Sequence, residues 1–141
     1  MALKVVGKPA GRIEGPDKVT GRLRYAADLS VPGMLWGKVL RSPHAHAKIV
    51  RIDTSRAKSL PGVHAVITGA EHPHLIGRVL KDTPVLAIGK VRFIGERVAA
   101  VAAETKEIAE AAIALVDVEY EALPAVFETL EALNPGAPMV H

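Results

Sequence analysis

The stretch Arg97-Val98-Ala99-Ala100-Val101-Ala102-Ala103 constrains the fold of this chain more than any other. Six small apolar residues in succession leave no polar side for water, so the stretch reads as a strand covered on both faces at the centre of a sheet. Thr105 is a good N-cap, residues 106–116 contain neither Gly nor Pro, and Glu107 falls in the first turn, where the helix dipole favours a carboxylate. Ile108, Ala109, Ala112, Ile113, Leu115 and Val116 share a sector of roughly 160°, with Lys106, Glu107 and Glu110 outside it, which predicts an amphipathic helix. Residues 116–122 then alternate, with Val116, Val118, Tyr120 and Ala122 on one face and Asp117, Glu119 and Glu121 on the other. That is a half-exposed strand, closed by Leu123-Pro124.

Earlier in the chain the punctuation is denser. Residues 7–18 are rich in Gly and Pro, follow neither a period of two nor one of 3.6, and read as an extended arm or loop. Their glycines neither follow a strand nor open a helix, so they are not a dinucleotide loop. Residues 34–40 and 47–53 are apolar or β-branched runs bounded by turn residues and predict two strands. A short helix capped by Thr54 or Ser55 ends near Leu60, and Pro61-Gly62 separates it from a third strand at 63–67. Residues 69–81 are irregular. Residues 84–88 and 91–94 predict short strands around a tight turn at Gly89-Lys90, and 129–133 a short helix ending at Asn134-Pro135-Gly136. Strands outnumber helices and the two do not alternate regularly, so the expected class is α+β, with one main helix and one or two short ones.

Composition sets the remaining bounds. With 141 residues, 49% hydrophobic and 4% aromatic, the chain can close an aliphatic core without a disulfide or metal. It has no cysteine, which excludes a disulfide framework, a Cys-ligated metal site and a thiol nucleophile within this chain, and fits a cytoplasmic location. No run approaches a membrane span and the opening lacks the apolar stretch of a signal peptide, so no membrane partner is expected. Net charge is +3, yet residues 1–60 hold twelve Lys/Arg against four Asp/Glu while residues 61–141 hold six against eleven. The basic residues are spaced singly and stacking aromatics are scarce, which argues against nucleic acid. If both halves contribute strands to one sheet, the charges mix on its surface.

Candidate chemistry is sparse. His44 and His46 sit two apart before a strand, but two nitrogens are not a zinc site, and His64, His72 and His74 have no recognised ligand spacing. Loop hydrogen bonding is the ordinary use of such a pair, and Arg41 and Ser42 look equally suited to holding the loop. Asp17, Asp28, Glu96 and Glu104 offer acid or base groups with no pair at a fixed separation. Ser42, Ser55 and Ser59 lack the Gly-x-Ser-x-Gly elbow. Trp36, the one tryptophan, suits a partner anchor or, more ordinarily, packing in the core or at a domain edge. No catalytic residue emerges.

Five ordered blocks carry a resemblance. They are Asp17-Lys18-Val19-Thr20-Gly21 with Tyr25-Ala26-Ala27-Asp28; Arg41-Ser42-Pro43-His44-Ala45-His46-Ala47; Ile52-Asp53-Thr54 with Leu60-Pro61-Gly62-Val63; Val91-Arg92-Phe93-Ile94-Gly95-Glu96 with Val98-Ala99-Ala100-Val101-Ala102; and Val118-Glu119-Tyr120-Glu121-Ala122-Leu123-Pro124-Ala125. Together they resemble the N-terminal α/β-hammerhead domain of the molybdenum hydroxylase large subunits, the family of xanthine dehydrogenase, aldehyde oxidase, carbon monoxide dehydrogenase and 4-hydroxybenzoyl-CoA reductase. The Arg41 to Ala47 block and the Leu-Pro-Ala motif look most like the hydroxybenzoyl-CoA reductase branch.

The resemblance implies a mixed, mostly antiparallel sheet and three parts: an extended arm at 1–16, the hammerhead domain at 17–127 and a tail at 128–141 leading towards a cofactor-binding region. It implies that Arg41, Ser42, Pro43, His44, His46, Gly95 and Glu96 are scaffold residues, that Trp36 lies at an interface, and that the chain holds no catalytic, cofactor-binding or metal-ligating residue of its own. The molybdopterin cofactor and the catalytic glutamate of the family sit on domains that follow. The expected partners are therefore the remaining domains or subunits of such an oxidoreductase, with self-association of the fragment alone. The alternative is a free-standing binding module that presents the basic first half to a phosphorylated ligand.

Overall fold

A computed structural model describes residues 6–9 and 11–140, so the readings made on residues 1–5, Ala10 and His141 lie outside the described residues. The chain forms two compact units, Met1–Met34 and Leu35–His141.

In the first unit the expected extended arm gives way to a five-residue helix, α1 (Gly15–Val19). Pro16 explains the difference: it lies in the first turn, where its fixed φ suits a helix and its missing N–H has no partner to lose. The Thr20 hydroxyl closes the far end by donating to the Pro16 carbonyl at 2.6 Å. A 3₁₀ turn follows at Ala26–Asp28, whose Asp28 carboxylate accepts the Tyr25 N–H at 2.9 Å. Neither element contains a buried residue.

The second unit is built on two three-stranded sheets. One has the order β1 (Trp36–Arg41), β7 (Arg97–Ala103), β3 (Val63–Thr68), and the other β6 (Lys90–Val91), β2 (Ala47–Asp53), β8 (Asp117–Ala122). A small ribbon pairs β4 (Leu75–Ile76) with β5 (Thr83–Pro84). Every ladder among these strands is antiparallel. The α+β class holds, with one main helix, α3 (Lys106–Ala114), and the short α2 (Ser55–Lys58) and 3₁₀ turn Glu131–Leu133.

β7 is central, as its composition requires. Its neighbours are Trp36 and Val63 at Ala103, and Leu40 and Thr68 at Ala99. Val98 faces a cluster with Ala47, Ala87 and Val91, while Ala99, Val101 and Ala103 face another with Ala57, Val66, Ala109, Ala112 and Val116. Alanines of α3 and β7 meet with almost no side-chain bulk between them: Ala99, Ala103, Ala109 and Ala112 are all at most 1% exposed. Thr105 caps α3 by accepting the Ile108 N–H at 3.2 Å. β8 alternates as expected over residues 117–121, with Val118 and Tyr120 half-buried and Asp117, Glu119 and Glu121 exposed, while Ala122, expected on the inward face, is exposed at the strand's end.

The hairpin expected around Gly89-Lys90 does not form. Lys90–Val91 pairs with Lys48 and Ala47 of β2, and Thr83–Pro84 pairs with β4, so the two runs never face each other. Leu86 and Ala87 are buried all the same, because Ala87 N–H donates to the Arg97 carbonyl at 2.7 Å and the segment lies along β7 without forming a strand.

Candidate functional site

The loops carrying Arg41 to His46 and Gly95-Glu96 are interlocked. Ser42 N–H donates to the Glu96 carbonyl at 2.9 Å and Gly95 N–H donates to the Ser42 carbonyl at 2.8 Å. Arg41, where the β1 to β7 register slips, reaches across to donate to the Gly95 carbonyl at 2.9 Å. The buried Ser42 hydroxyl folds its own loop, accepting from His44 N–H at 3.0 Å and donating to the His44 carbonyl at 3.1 Å, while Pro43 between them is exposed. Opposite, Glu96 N–H donates to the Phe93 carbonyl at 3.2 Å and closes a turn whose third residue, Gly95, has φ +87. That conformation is where the turn requires glycine.

Glu96 is the most buried carboxylate of those singled out, at 6% exposure. It accepts the Arg92 backbone N–H through one oxygen and the Arg92 guanidinium through the other, at 2.9 Å. Its work is to balance the part-buried Arg92 cation and hold a turn, with each carboxylate oxygen already accepting a hydrogen bond. Asp17 lies 3.6 Å from Arg22, Asp28 holds the 3₁₀ turn, and Glu104 sits 3.2 Å from His64 at the surface. The structure brings none of these four carboxylates together.

His46 is buried, and its Nδ1 lies 2.7 Å from the Pro124 carbonyl. A carbonyl only accepts, so Nδ1 carries the hydrogen and Nε2 of the neutral ring is an acceptor. His46 also fixes this junction through its backbone, accepting Leu123 N–H at 2.9 Å. His44 packs its ring on Tyr120, centroids 4.8 Å apart, and burial pushes the Tyr120 hydroxyl above its ordinary range. The two histidines serve different partners and do not converge. Among the described residues no group of three or more His, Cys, Asp or Glu is placed to hold a metal ion.

Beside the interlocked loops lies a cavity of about 360 Å³. Its walls come from the 92–94 turn and the 124–140 segment, with Phe93, Ile94, Phe127 and Val140 contributing apolar surface and His46 and Arg92 the polar side chains. Residues 92–94 and 124–125 fall within the ordered sequence blocks, but nothing in either run marks it as a wall of one cavity. The signal available was the four-residue spacing of Arg92 and Glu96 across a glycine turn. Trp36 heads the edge strand β1 and is 47% exposed, so it is not a core residue.

The charge asymmetry dissolves in the fold. Lys38 pairs with Glu110 at 2.7 Å, Arg51 with Asp117 at 2.7 Å, Lys58 with Glu71 at 3.0 Å and Lys48 with Glu121 at 3.8 Å. Each is a basic residue of the first half meeting an acidic residue of the second. The basic face that a phosphorylated ligand requires is neutralised at these positions, and the binding-module alternative finds no support.

Comparison with known proteins agrees with the geometry. Residues 20–124 match the family described as aldehyde oxidase and xanthine dehydrogenase, a/b hammerhead domain. Over 140 residues the chain is 49% identical to a probable xanthine dehydrogenase subunit of Bacillus subtilis (strain 168), covering 97% of this chain and 19% of that protein. It is 41% identical to the carbon monoxide dehydrogenase large chain of Afipia carboxidovorans, covering 99% of this chain and 18% of that one. Among solved structures, the Cu,Mo-CO dehydrogenase in its carbon monoxide reduced state superposes with a TM-score of 0.87 at 42% identity, over 94% of this chain and 17% of that chain. Quinoline 2-oxidoreductase from Pseudomonas putida 86 superposes with a TM-score of 0.82 at 44% identity, over 90% and 17%. The chain spans about a fifth of the length of these two relatives. With the motif loops locked together as they are and the match running over most of its residues, this chain belongs to the α/β-hammerhead domains of the aldehyde oxidase and xanthine dehydrogenase family of molybdenum oxidoreductases.

Proposed function

We propose that this chain is a non-catalytic scaffold domain of a molybdopterin-dependent oxidoreductase large subunit, and that the reaction is carried by polypeptide outside it. The observation that carries the reading is the use made of the chemistry-bearing side chains: Glu96 is spent on Arg92, Ser42 on His44 and His46 on Pro124. Each holds a loop. The cofactor implied by the family does not fit the residues present. A pterin bearing phosphate asks for many converging N–H donors, whereas the cavity is walled by aliphatic and aromatic side chains with two polar ones among them. No step of the reaction is therefore assigned to this chain.

The relatives named above are dehydrogenases and an oxidoreductase, so the assembled enzyme in this reading carries out a redox reaction, in the cytoplasm, with the remaining domains or subunits as partners. The finer placement in the hydroxybenzoyl-CoA reductase branch is supported only by the Arg41 to Ala47 block and Leu123-Pro124-Ala125. The division into an arm at 1–16, a domain at 17–127 and a tail at 128–141 belongs to the same proposal, as does a lone chain that hides apolar surface against a second copy. The test is metal analysis and turnover. The purified chain alone is expected to carry no stoichiometric molybdenum and to convert neither aldehyde nor purine, while the assembled enzyme carries molybdenum and turns over its substrate. Pterin bound within the isolated chain, or turnover by it, overturns the proposal. Reduction of a hydroxybenzoyl-CoA by the assembled enzyme supports the branch, and its absence alongside purine oxidation removes it.

A further inference from the structure

The first compact unit holds its shape without a core. Among its described residues none is buried: Glu14, Gly15 and Leu23 are half-buried, the rest are exposed, and the apolar Ile13 and Val19 are 96% and 86% accessible. The second unit is the reverse, with Val91, Val98 and Ala99 wholly withdrawn from solvent. What shapes the first unit is local. The hydrogen bonds of its described residues link positions at most six apart: the Arg22 and Leu23 N–H groups both donate to the Asp17 carbonyl, at 2.9 and 3.0 Å, and the Asp28 N–H donates to the Tyr25 carbonyl at 2.9 Å. Its ion pairs, Arg12 with Glu14 and Arg22 with Asp17, lie in water, where such pairs contribute little. A helix needs about 12–15 residues to persist in water without packing, and α1 has five. No buried side chain offsets the entropy of fixing these residues. A joint is present as well. Gly33 has φ +77, with nothing within 4 Å of a Cβ placed there, and Pro32-Gly33 stands where the unit ends.

We propose that residues 11–34 are a strap that exchanges between the turned form described above and an open chain, hinged at Pro32-Gly33, while residues 35–140 keep their fold. The exchange is independent of the scaffold reading. Its closed form is written locally: Pro16 presets the first turn of α1, the Thr20 hydroxyl closes the last, and the Asp28 carboxylate takes the Tyr25 N–H. The strap therefore re-forms from neighbouring residues alone, with no distant contact to rebuild. Opening exposes little that is not already in water, so the body of the chain has nothing to lose by it.

Hydrogen exchange on the whole chain tests it. The amides of Arg22, Leu23 and Asp28 are hydrogen-bonded, and so are those of Ile49, Ala87 and Glu104 in the second unit. A strap that stayed closed would protect both sets alike. The expected result is exchange at least about a hundredfold faster in the first set than in the second. Brief trypsin treatment gives a second reading. Cutting after Arg22 or Arg24 is expected to outpace cutting after Arg51 of β2 or Arg97 of β7 by a similar factor, and the clipped material is expected to keep the melting temperature of the parent. Protection of Arg22, Leu23 and Asp28 equal to that of Glu104, or loss of the thermal transition once the strap is cut, overturns the exchange and leaves the scaffold reading untouched.

Discussion

Glu96 and Arg92 form a buried ion pair across a four-residue turn, 2.9 Å apart, with the same carboxylate also accepting the Arg92 main-chain N–H. Removing the carboxylate leaves a guanidinium withdrawn from water without its counter-charge. Glu96→Ala is therefore expected to cost about 3–5 kcal/mol, read as a lowered urea midpoint. The double variant Arg92→Met with Glu96→Leu recovers most of the loss, because a buried pair replaced by apolar side chains is close to neutral. A Glu96→Ala chain as stable as the parent would show that the pair is not structural.

Gly69 follows β3 where residues 86 and 87 cross it. A Cβ there would lie 2.3 Å from the Ala87 carbonyl oxygen and 2.6 Å from that of Leu86, both of them main chain that cannot rotate away. Gly69→Ala is expected to destabilise by about 1–3 kcal/mol through forced backbone movement. Gly11→Ala, where nothing lies within 4 Å, is the matched control and leaves the melting temperature unchanged.

The close contact between α3 and β7 depends on alanine. Ala109 is 1% and Ala112 0% exposed against a sheet face that is itself lined by Ala99 and Ala103. Ala109→Leu is expected to cost about 1–3 kcal/mol as the helix is pushed off the sheet, and thermal unfolding measures it. Ala111→Leu, on the exposed side of the same helix, serves as the comparison and is expected to shift the midpoint little.

Stability should fall at both ends of the pH scale for different reasons. Hydrogen bonds from Lys58 and then Thr68 hold the Glu71 carboxyl below its ordinary range, the Ser55 N–H does the same for Asp53, and Lys38 for Glu110. A lowered folded pKa gives stability that is complete above the unfolded value and lost as pH drops through the folded one, so the loss begins below about pH 4. All three groups are exposed and the contribution of each is small. Tyr120 is shifted upward by burial, so its proton is held more tightly in the fold and stability declines above about pH 10. Melting temperatures from pH 3 to 11 test both limbs, and Lys58→Met flattens only the acid one.

Local pattern carried much of this architecture. The limits of β2 and β7 follow directly from their runs of apolar residues, and α3 starts where Thr105 caps it, although it stops at Ala114 instead of Val116. The failures share one cause. Whether residues 84–88 and 91–94 pair with each other or with β4 and β2 is decided by segments that lie elsewhere in the chain, and no feature of Gly89-Lys90 reports it. The helix at Gly15–Val19 was hidden by glycines and a proline that together argued for a loop, although Pro16 is well suited to a first turn. At the site, nothing in the sequence reported that the loops of Ser42 and Gly95 lock together. Ser42 and Gly95 are 53 positions apart, and only the register of β1 on β7 brings them together.

Val98 and Ala99 are consecutive residues that look into different hydrophobic clusters. Ile52 and Val118 also touch both. A shared partition of this kind couples the fates of the two compartments: neither can melt while the other keeps its order, because each lends the other a wall. Residues 35–140 consequently behave as a single cooperative block, and a lesion planted on one side of β7 is felt as lowered protection of amide hydrogens on the other.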